Sequence, residues 1–300
     1  MTIVPVDPEA DRRYVITFSC PDRTGIVARI SGFLAELGAW IVEAAYHADD
    51  NWFFTRQAVR ADSVSFGIDE LRARFAEVAE EFGPEAVWRV TDTGTPKHAV
   101  LLVTREPHCL HDLLGRISAG ELPVVLDAVI GNHPDLAPLV QAHGVPFHHV
   151  PFPGPRDAKR EQGKVASFEK VRQIVDGFAP DAIVLARFMQ ILPAHLCEEW
   201  AGRAINIHHS FLPSFMGARP YHQAHQRGVK LIGATCHYAT ADLDAGPIIE
   251  QDVIRVDHGD TVASMVRRGK DIERLVLARG LRWHLEDRVL VHGNKTVVFH

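Results

Sequence analysis

Cysteine is scarce, with 4 among 300 residues. Cys20, Cys109, Cys197 and Cys236 are far apart and form no Cys-x-x-Cys pair. A disulfide scaffold, a zinc knuckle and a thioredoxin-type dithiol are therefore excluded, and buried reduced thiols are expected. No run of about 18 uncharged apolar residues occurs, so no membrane partner is expected. Acids stand in the opening segment where a secretory leader needs an apolar core, which points to a cytoplasmic protein. A basic excess is missing as well: 32 Lys and Arg face 38 Asp and Glu, a formal net charge of -6. Nucleic acid, whose phosphates need an extended field of cations, is not an expected partner. The chain also lacks internal repeats and low-complexity tracts.

What is present suits folded domains, since 46% of the residues are hydrophobic and 23% charged, enough apolar surface to offset ordering. At roughly 150 residues per domain, the length predicts two. Charge locates their boundary. Residues 1–90 hold 15 acidic and 9 basic side chains, leaving 23 of each for 91–300, so the negative excess lies wholly in the first segment. Between them Thr91 to Lys97, with Gly94 and Pro96, continues neither helix nor strand and reads as a linker over 91–97. The domains expected are 1–90, and 98–300 beyond the linker.

In the first segment, alternation over 13–19, helical spacing of Ile26, Ile30, Phe33, Leu34 and Leu37, and strands over 40–47 and 52–60 flank an Asp49-Asp50-Asn51 turn. A second helix through Leu71, Phe75, Val78, Ala79 and Phe82 and a strand over 85–90 complete a ferredoxin-like βαββαβ unit. The second segment instead alternates apolar strands, over 98–104, 124–130, 147–150, 182–186 and 204–208, with helical stretches. That pattern predicts an α/β fold with a mostly parallel, Rossmann-like sheet. A strand pair over 231–238 and 247–256 and a helix over 261–284 follow. Ligands on such sheets bind beyond the carboxyl ends of the strands.

The densest polar cluster in that position is Asn206-Ile207-His208-His209-Ser210-Phe211-Leu212-Pro213-Ser214-Phe215. Strand alternation sends Asn206 and His208 to one face, presenting an amide and an imidazole together. Pro213 cannot continue a ladder, so both stand near the strand's open end. A glycine-bounded turn, Asp242-Leu243-Asp244-Ala245-Gly246-Pro247, interrupts the later strand pair. Asp242 reads as a turn-forming side chain, whereas chain reversal brings Asp244 toward the strand of Asn206 and His208. His108/His111 and His222/His225 have i, i+3 spacing, but without further ligands no metal is expected.

These motifs carry a resemblance. The Asn206 to Phe215 run, followed by Asp244-Ala245-Gly246-Pro247-Ile248-Ile249, resembles the formyltransferase family that uses 10-formyltetrahydrofolate, over roughly residues 98–260. The resemblance implies Asn206, His208 and Asp244 as catalytic residues. Leu185-Ala186-Arg187-Phe188-Met189-Gln190-Ile191-Leu192 resembles that family's pterin-cradling segment, so Arg187, Phe188, Met189, Ile191 and Leu192, with Asp242, are the implied substrate contacts. The run Cys20-Pro21-Asp22-Arg23-Thr24-Gly25-Ile26 is similar to the first turn of an ACT domain. That likeness implies a small amino-acid effector near Asp22, Thr24, Gly25 and Ile26, and a homo-oligomer. ACT followed by formyltransferase resembles the formyltetrahydrofolate deformylase family, which implies hydrolysis of 10-formyltetrahydrofolate to formate and tetrahydrofolate. The folate is then a substrate, and no cofactor is implied.

The acceptor requires a separate argument. Relatives acting on a phosphorylated amine carry a glycine-rich phosphate turn after the first strand, but here that place reads Thr104-Arg105-Glu106-Pro107-His108-Cys109. Pro107 donates no N–H and Glu106 repels phosphate. A charge-balanced catalytic segment likewise suits no tRNA acceptor. Water is the expected acceptor, with transfer to a small amine as the alternative. Arg105 and His108 read as loop residues, or else as gatekeepers of the acceptor site. His148, His149 and Lys159 read as a solvated loop, and Arg267-Arg268 as a hydrated helix face.

Overall fold

The computed structural model describes residues 12–49, 51–154, 159–214 and 220–300, with Pro220 described by its backbone alone. Asp50 and Phe215, named above in motifs, lie outside the described residues. Two compact units emerge.

The first unit comprises residues up to Pro96 together with Asp287–Leu290 and Val297–His300. Its elements are β1 (Arg13–Pro21), α1 (Ile26–Glu36), β2 (Ile41–Asp49), β3 (Trp52–Arg60), α2 (Ile68–Glu80) and β4 (Val87–Asp92). They form a four-stranded sheet of order β2-β3-β1-β4, antiparallel throughout. Apolar side chains of β1 on one face, Ile16, Phe18 and Cys20, meet the helical stripes Ile26, Ile30, Phe33 and Leu71, Phe75, Val78. Phe18 lies edge-on to Phe82, with ring centroids 5.0 Å apart, so the quadrupoles align favourably as the rings leave water. Gly25 caps α1 at φ 98, a left-handed turn that a side chain would resist. Ile26 enters the core while Asp22, Thr24 and Gly25 remain exposed. The returning C-terminal segments carry no charge or linker signal that separates them from the second domain. Leu290 and Phe299 nonetheless pack with Phe54, on the sheet face away from the helices.

The second unit spans Lys97–Glu286 and Val291–Thr296. It contains β5 (Lys97–Val103), α3 (His108–Ser118), β6 (Val124–Gly131), α4 (Ala137–Ala142), β7 (Phe147–His149), α5 (Arg160–Phe178), β8 (Ala182–Ala186), α6 (Ala194–Glu199), β9 (Ala204–His208), α7 (Pro220–Arg227), β10 (Leu231–Tyr238), β11 (Ile248–Arg255) and α8 (Val262–Leu285). A short hairpin, β12 (Val289–His292) and β13 (Lys295–Val298), ends the chain. The seven-stranded sheet has order β11-β10-β9-β8-β5-β6-β7. β7, β6, β5, β8 and β9 run parallel, and β10 and β11 are antiparallel additions.

Because the parallel strands are covered on both faces, β5 and β8 are uninterruptedly buried from Ala99 to Val103 and from Ala182 to Ala186. Trp200, Phe188 and Leu196 fill the core on one side. The 24-residue α8 is capped by Thr261, whose hydroxyl accepts from the Ser264 N–H at 3.2 Å, and buries Met265, Ile272, Val276, Leu277 and Leu281. From β5 the chain runs outward through β6 and β7, then returns to place β8 and β9 on the other side of β5. The carboxyl ends of β5 and β8 therefore border a topological switch point, the crevice where open α/β sheets take ligands.

Candidate active site

β9 and β10 pair antiparallel, with His237 opposite Asn206 and Thr235 opposite His208. Alternation puts Thr235 and His237 on the face that carries Asn206 and His208. Thr235 fixes the chain leaving β9: its hydroxyl donates to the Ser210 carbonyl at 2.9 Å and accepts from the Leu212 N–H at 3.1 Å. The Gln251 amide donates to the Leu212 carbonyl at 3.0 Å. A fully buried threonine thus orders the turn on which the histidines stand.

Asp244 reaches this face from the turn between β10 and β11. It sits at φ 55, a left-handed conformation uncommon for a residue with a side chain. The turn is tethered where Asn294 donates to the Ala245 carbonyl at 2.9 Å and where the Tyr238 N–H donates to the Pro247 carbonyl at 2.9 Å. Gly246 passes so close to the Tyr238 carbonyl oxygen that an added Cβ would overlap it. Gly246→Ala is therefore expected to displace the turn and lower kcat at least about tenfold with the fold retained, since small misplacements of catalytic groups are costly. Steady-state rates and circular dichroism of the purified variant check this.

Nδ1 of His208 lies 3.1 Å from Asp244 Oδ1. The carboxylate accepts only, so the imidazole carries its proton on Nδ1 and Nε2 bears a lone pair. That Nε2 is buried and has no hydrogen-bond partner among the described residues. Burial works against the charge of Asp244, but the His208 hydrogen bond and the surrounding imidazoles outweigh it and hold the carboxyl below its ordinary value. The Asn206 amide nitrogen lies 3.1 Å from His237 Nε2. His237 Nδ1 is 2.9 Å from the Tyr238 carbonyl, which only accepts. His237 Nε2 is consequently the acceptor, and one amide N–H of Asn206 is spent on it while the other stays available. Asp244 Oδ1 is 3.9 Å from His237 Nε2, so Asn206, His208, Asp244 and His237 converge.

His209 stands behind this group, its ring centroid 5.2 Å from that of His208 and 6.1 Å from that of Tyr221. Burial, assisted by the Arg187 charge, pushes its imidazole down to about 4. The unfolded chain takes up that proton near pH 6.5, so between the two values the unfolded state binds more protons and stability falls as pH is lowered. The gap corresponds to about 3 kcal/mol when fully expressed. Urea unfolding at pH 7 and pH 4.5 is expected to show a loss in the parent about 2 kcal/mol larger than in His209→Asn. Equal losses would assign the acid sensitivity elsewhere.

The remaining sequence-derived residues divide. Phe188 and Leu192 are core side chains. Met189 and Ile191 are 59% and 68% exposed, available to a flat apolar ligand. Asp242 is exposed, and its carbonyl accepts from the Thr240 hydroxyl. Arg187, at φ 65 after β8, turns inward, its Nε 3.5 Å from Glu273 Oε2. His108 corrects its loop reading: it opens α3, is buried, and its Nε2 lies 2.8 Å from Glu273 Oε2. Arg105 remains exposed, 3.6 Å from Asp135. His111, His222 and His225 are exposed. His108, Cys109 and Glu273 bring potential ligand atoms within 4.8 Å of one another. Glu273 is engaged there by His108, by the Tyr221 hydroxyl at 2.8 Å and by Arg187. The four cysteines are buried free thiols, and no helix among the described residues is long and apolar enough to cross a membrane.

Known proteins are similar to this chain over most of its length. Residues 97–281 match the formyl transferase family. The chain is 45% identical to the formyltetrahydrofolate deformylase of Bacillus subtilis, over 94% of this chain and 92% of that protein. It belongs to the formyltetrahydrofolate deformylase family. A crystal structure of a deformylase from Pseudomonas syringae pv. tomato superposes with a TM-score of 0.92 at 54% identity, covering 96% of this chain and 95% of that one. The deformylase from Burkholderia mallei gives a TM-score of 0.87 at 40% identity, over 96% and 100% of the two chains. The α/β unit has the formyltransferase fold.

His237, Thr235 and Glu273 escaped the sequence reading. For the first two a signal existed, since alternation through Thr235 and His237 puts two polar side chains on one face of an otherwise apolar strand. Glu273 offered none, as an acid in a long amphipathic helix ordinarily faces water.

Proposed function

We propose that this chain hydrolyses 10-formyltetrahydrofolate to formate and tetrahydrofolate at Asn206, His208 and Asp244, without a cofactor. The observation that carries the reading is the Asp244-oriented His208, whose buried Nε2 has no partner among the described residues, on the strand face that also carries Asn206. Water attacks the formyl carbon as His208 Nε2 removes its proton. The formyl oxygen becomes an oxyanion and accepts the free amide N–H of Asn206. Asp244 stabilises the imidazolium so formed and keeps its orientation. The bond from carbon to N10 then breaks, N10 takes the proton from His208, and formic acid ionises as it leaves. Exposed Met189 and Ile191 offer the folate ring an apolar surface.

The first unit is read as an ACT regulatory domain that takes a small amino acid near Asp22, Thr24, Gly25 and Ile26 and joins subunits into a homo-oligomer. Support comes from its βαββαβ order and the left-handed Gly25 cap, where α1 begins without a side-chain cap. Purified protein given 10-formyltetrahydrofolate and no amine is expected to release formate stoichiometrically with tetrahydrofolate. Formyl loss that appears only on adding an amine, with the formylated amine as product, would overturn hydrolysis in favour of transfer.

A further inference from the structure

The chain ends in a hairpin that belongs to both units. Its outer residues, Asp287–Leu290 and Val297–His300, are part of the first unit, whereas Val291–Thr296 are part of the second. β12 and β13 are joined by two residues, Gly293 and Asn294. Gly293 stands at φ 56, the left-handed first position that such tight turns reserve for glycine. An isolated two-stranded hairpin is at best marginally stable in water. This one is held at its two ends by different partners.

The base is fixed within the first unit. Leu290 and Phe299 are buried against Phe54. Arg288 Nη1 donates to the Phe299 carbonyl at 3.2 Å and to Glu43 Oε1 at 3.0 Å, and so clamps the two strands to each other and to β2. Asp287, left-handed at φ 52 where the chain leaves α8, accepts from the Thr91 hydroxyl at 2.8 Å. The tip is fixed within the second unit. The Asn294 amide donates to the Ala245 carbonyl at 2.9 Å, and the Thr296 hydroxyl donates to the Ile248 carbonyl. Two positions apart on one strand, these donors share a face. The carbonyls they take bracket Gly246 and Pro247, directly after Asp244.

Asp244 needs that grip. Its backbone at φ 55 is a conformation that a residue with a side chain keeps only where the surroundings over-determine it. The turn's own bonds, from the Ala245 N–H at 3.4 Å and the Thr240 hydroxyl at 3.0 Å, both end on the Asp242 carbonyl, ahead of Asp244. Past Asp244 the turn is held by the Tyr238 N–H on the Pro247 carbonyl and by the two donors of the hairpin.

We propose that the C-terminal hairpin is the arm that sets the position of Asp244, with Asn294 and Thr296 as positioning residues at its tip and Leu290 and Phe299 as its seat in the first unit. A short antiparallel ladder carries displacement along its strands, so a shift of the seat reaches the Ala245 carbonyl. Asp244 in turn orients His208 across 3.1 Å, where small misplacements are costly. The first unit, read above as regulatory, thereby bears on the reaction through the catalytic imidazole. The proposal rests on the hydrolytic reading only for its rate measurements.

Formate release, together with hydrogen exchange over residues 241–248 read by mass spectrometry, tests this on the full chain. Asn294 is exposed, so Asn294→Ala leaves the core untouched. It is expected to lower kcat at least about fivefold, to leave KM for the folate within about twofold of the parent, and to speed exchange over 241–248. Thr296→Val should behave alike, and Thr296→Ser, which keeps the hydroxyl, should run at the parental rate. In an Asp244→Asn background, Asn294→Ala should lower kcat by less than about a further factor of two, because a residue that acts through Asp244 has nothing left to position. A merely structural role would add its loss in full. Phe299→Ala, at the seat, should lower kcat and be non-additive with Asn294→Ala. Should it fail to fold, Thr91→Val, which removes only the hydroxyl that Asp287 holds, takes its place. Parental kcat and exchange in Asn294→Ala or in a folded seat variant, or a full additional loss in the Asp244→Asn background, would overturn the proposal. A parent that releases no formate would strike at the hydrolytic reading instead, and exchange over 241–248 would still judge the arm.

Discussion

Asp244→Asn is expected to lower turnover by roughly 10³ to 10⁴ while affinity for the folate changes by no more than a factor of a few. The size of the effect follows from the proton on His208. In the parent, the carboxylate only accepts, which forces the imidazole proton onto Nδ1 and leaves Nε2 basic. An asparagine can turn its NH₂ toward Nδ1, and the proton then moves to Nε2, the atom that must take a proton from water. The same substitution removes the negative charge that stabilises the imidazolium. Steady-state rates of formate release give the first quantity, and equilibrium binding of a non-hydrolysable folate gives the second. Turnover within tenfold of the parent would remove Asp244 from the mechanism.

Asn206→Ala carries the second large effect, a loss of about 10² to 10³ in kcat with KM little changed. One amide N–H is committed to His237, so the other points in a fixed direction, and a preorganised donor stabilises an oxyanion far better than mobile water does. This coupling makes a further claim. His237 orients Asn206 through its hydrogen bond, so His237→Ala should also lower kcat, but combining it with Asn206→Ala should add almost nothing. Additive losses in the double variant would show that His237 acts independently of the amide. A loss confined to KM in Asn206→Ala would place the amide in substrate binding rather than in transition-state stabilisation.

The chain's pH behaviour separates two kinds of group in the same pocket. Asp244 is held ionised to lower pH than an ordinary carboxyl, so its contribution to stability is present above its unfolded value and lost as pH falls through the folded one. Buried His209 loses stability over the range from about 6.5 down to about 4. Acid should therefore weaken the fold through His209 before Asp244 is protonated.

The amino-acid sequence by itself determined most of the elements and the shared strand face of Asn206 and His208. Period-2 alternation in β1 and β9 and helical spacing in α1, α2 and α8 are local, because burial of one face is written into neighbouring positions. Asn206 and His208 were legible because two residues on one strand share a face whatever surrounds them. What only the tertiary structure decided are the relations among distant segments. Antiparallel pairing of β10 with β9 sets His237 against Asn206, 31 positions away. Packing of α8 against α3 buries Glu273 against His108, 165 positions away. It is also the fold that turns the C-terminal residues Leu290 and Phe299 onto Phe54. An acid on an amphipathic helix and a histidine after a proline look solvated in isolation. Both are buried only because the fold brings His108, Tyr221 and Arg187 to one carboxylate, and no local pattern encodes that meeting.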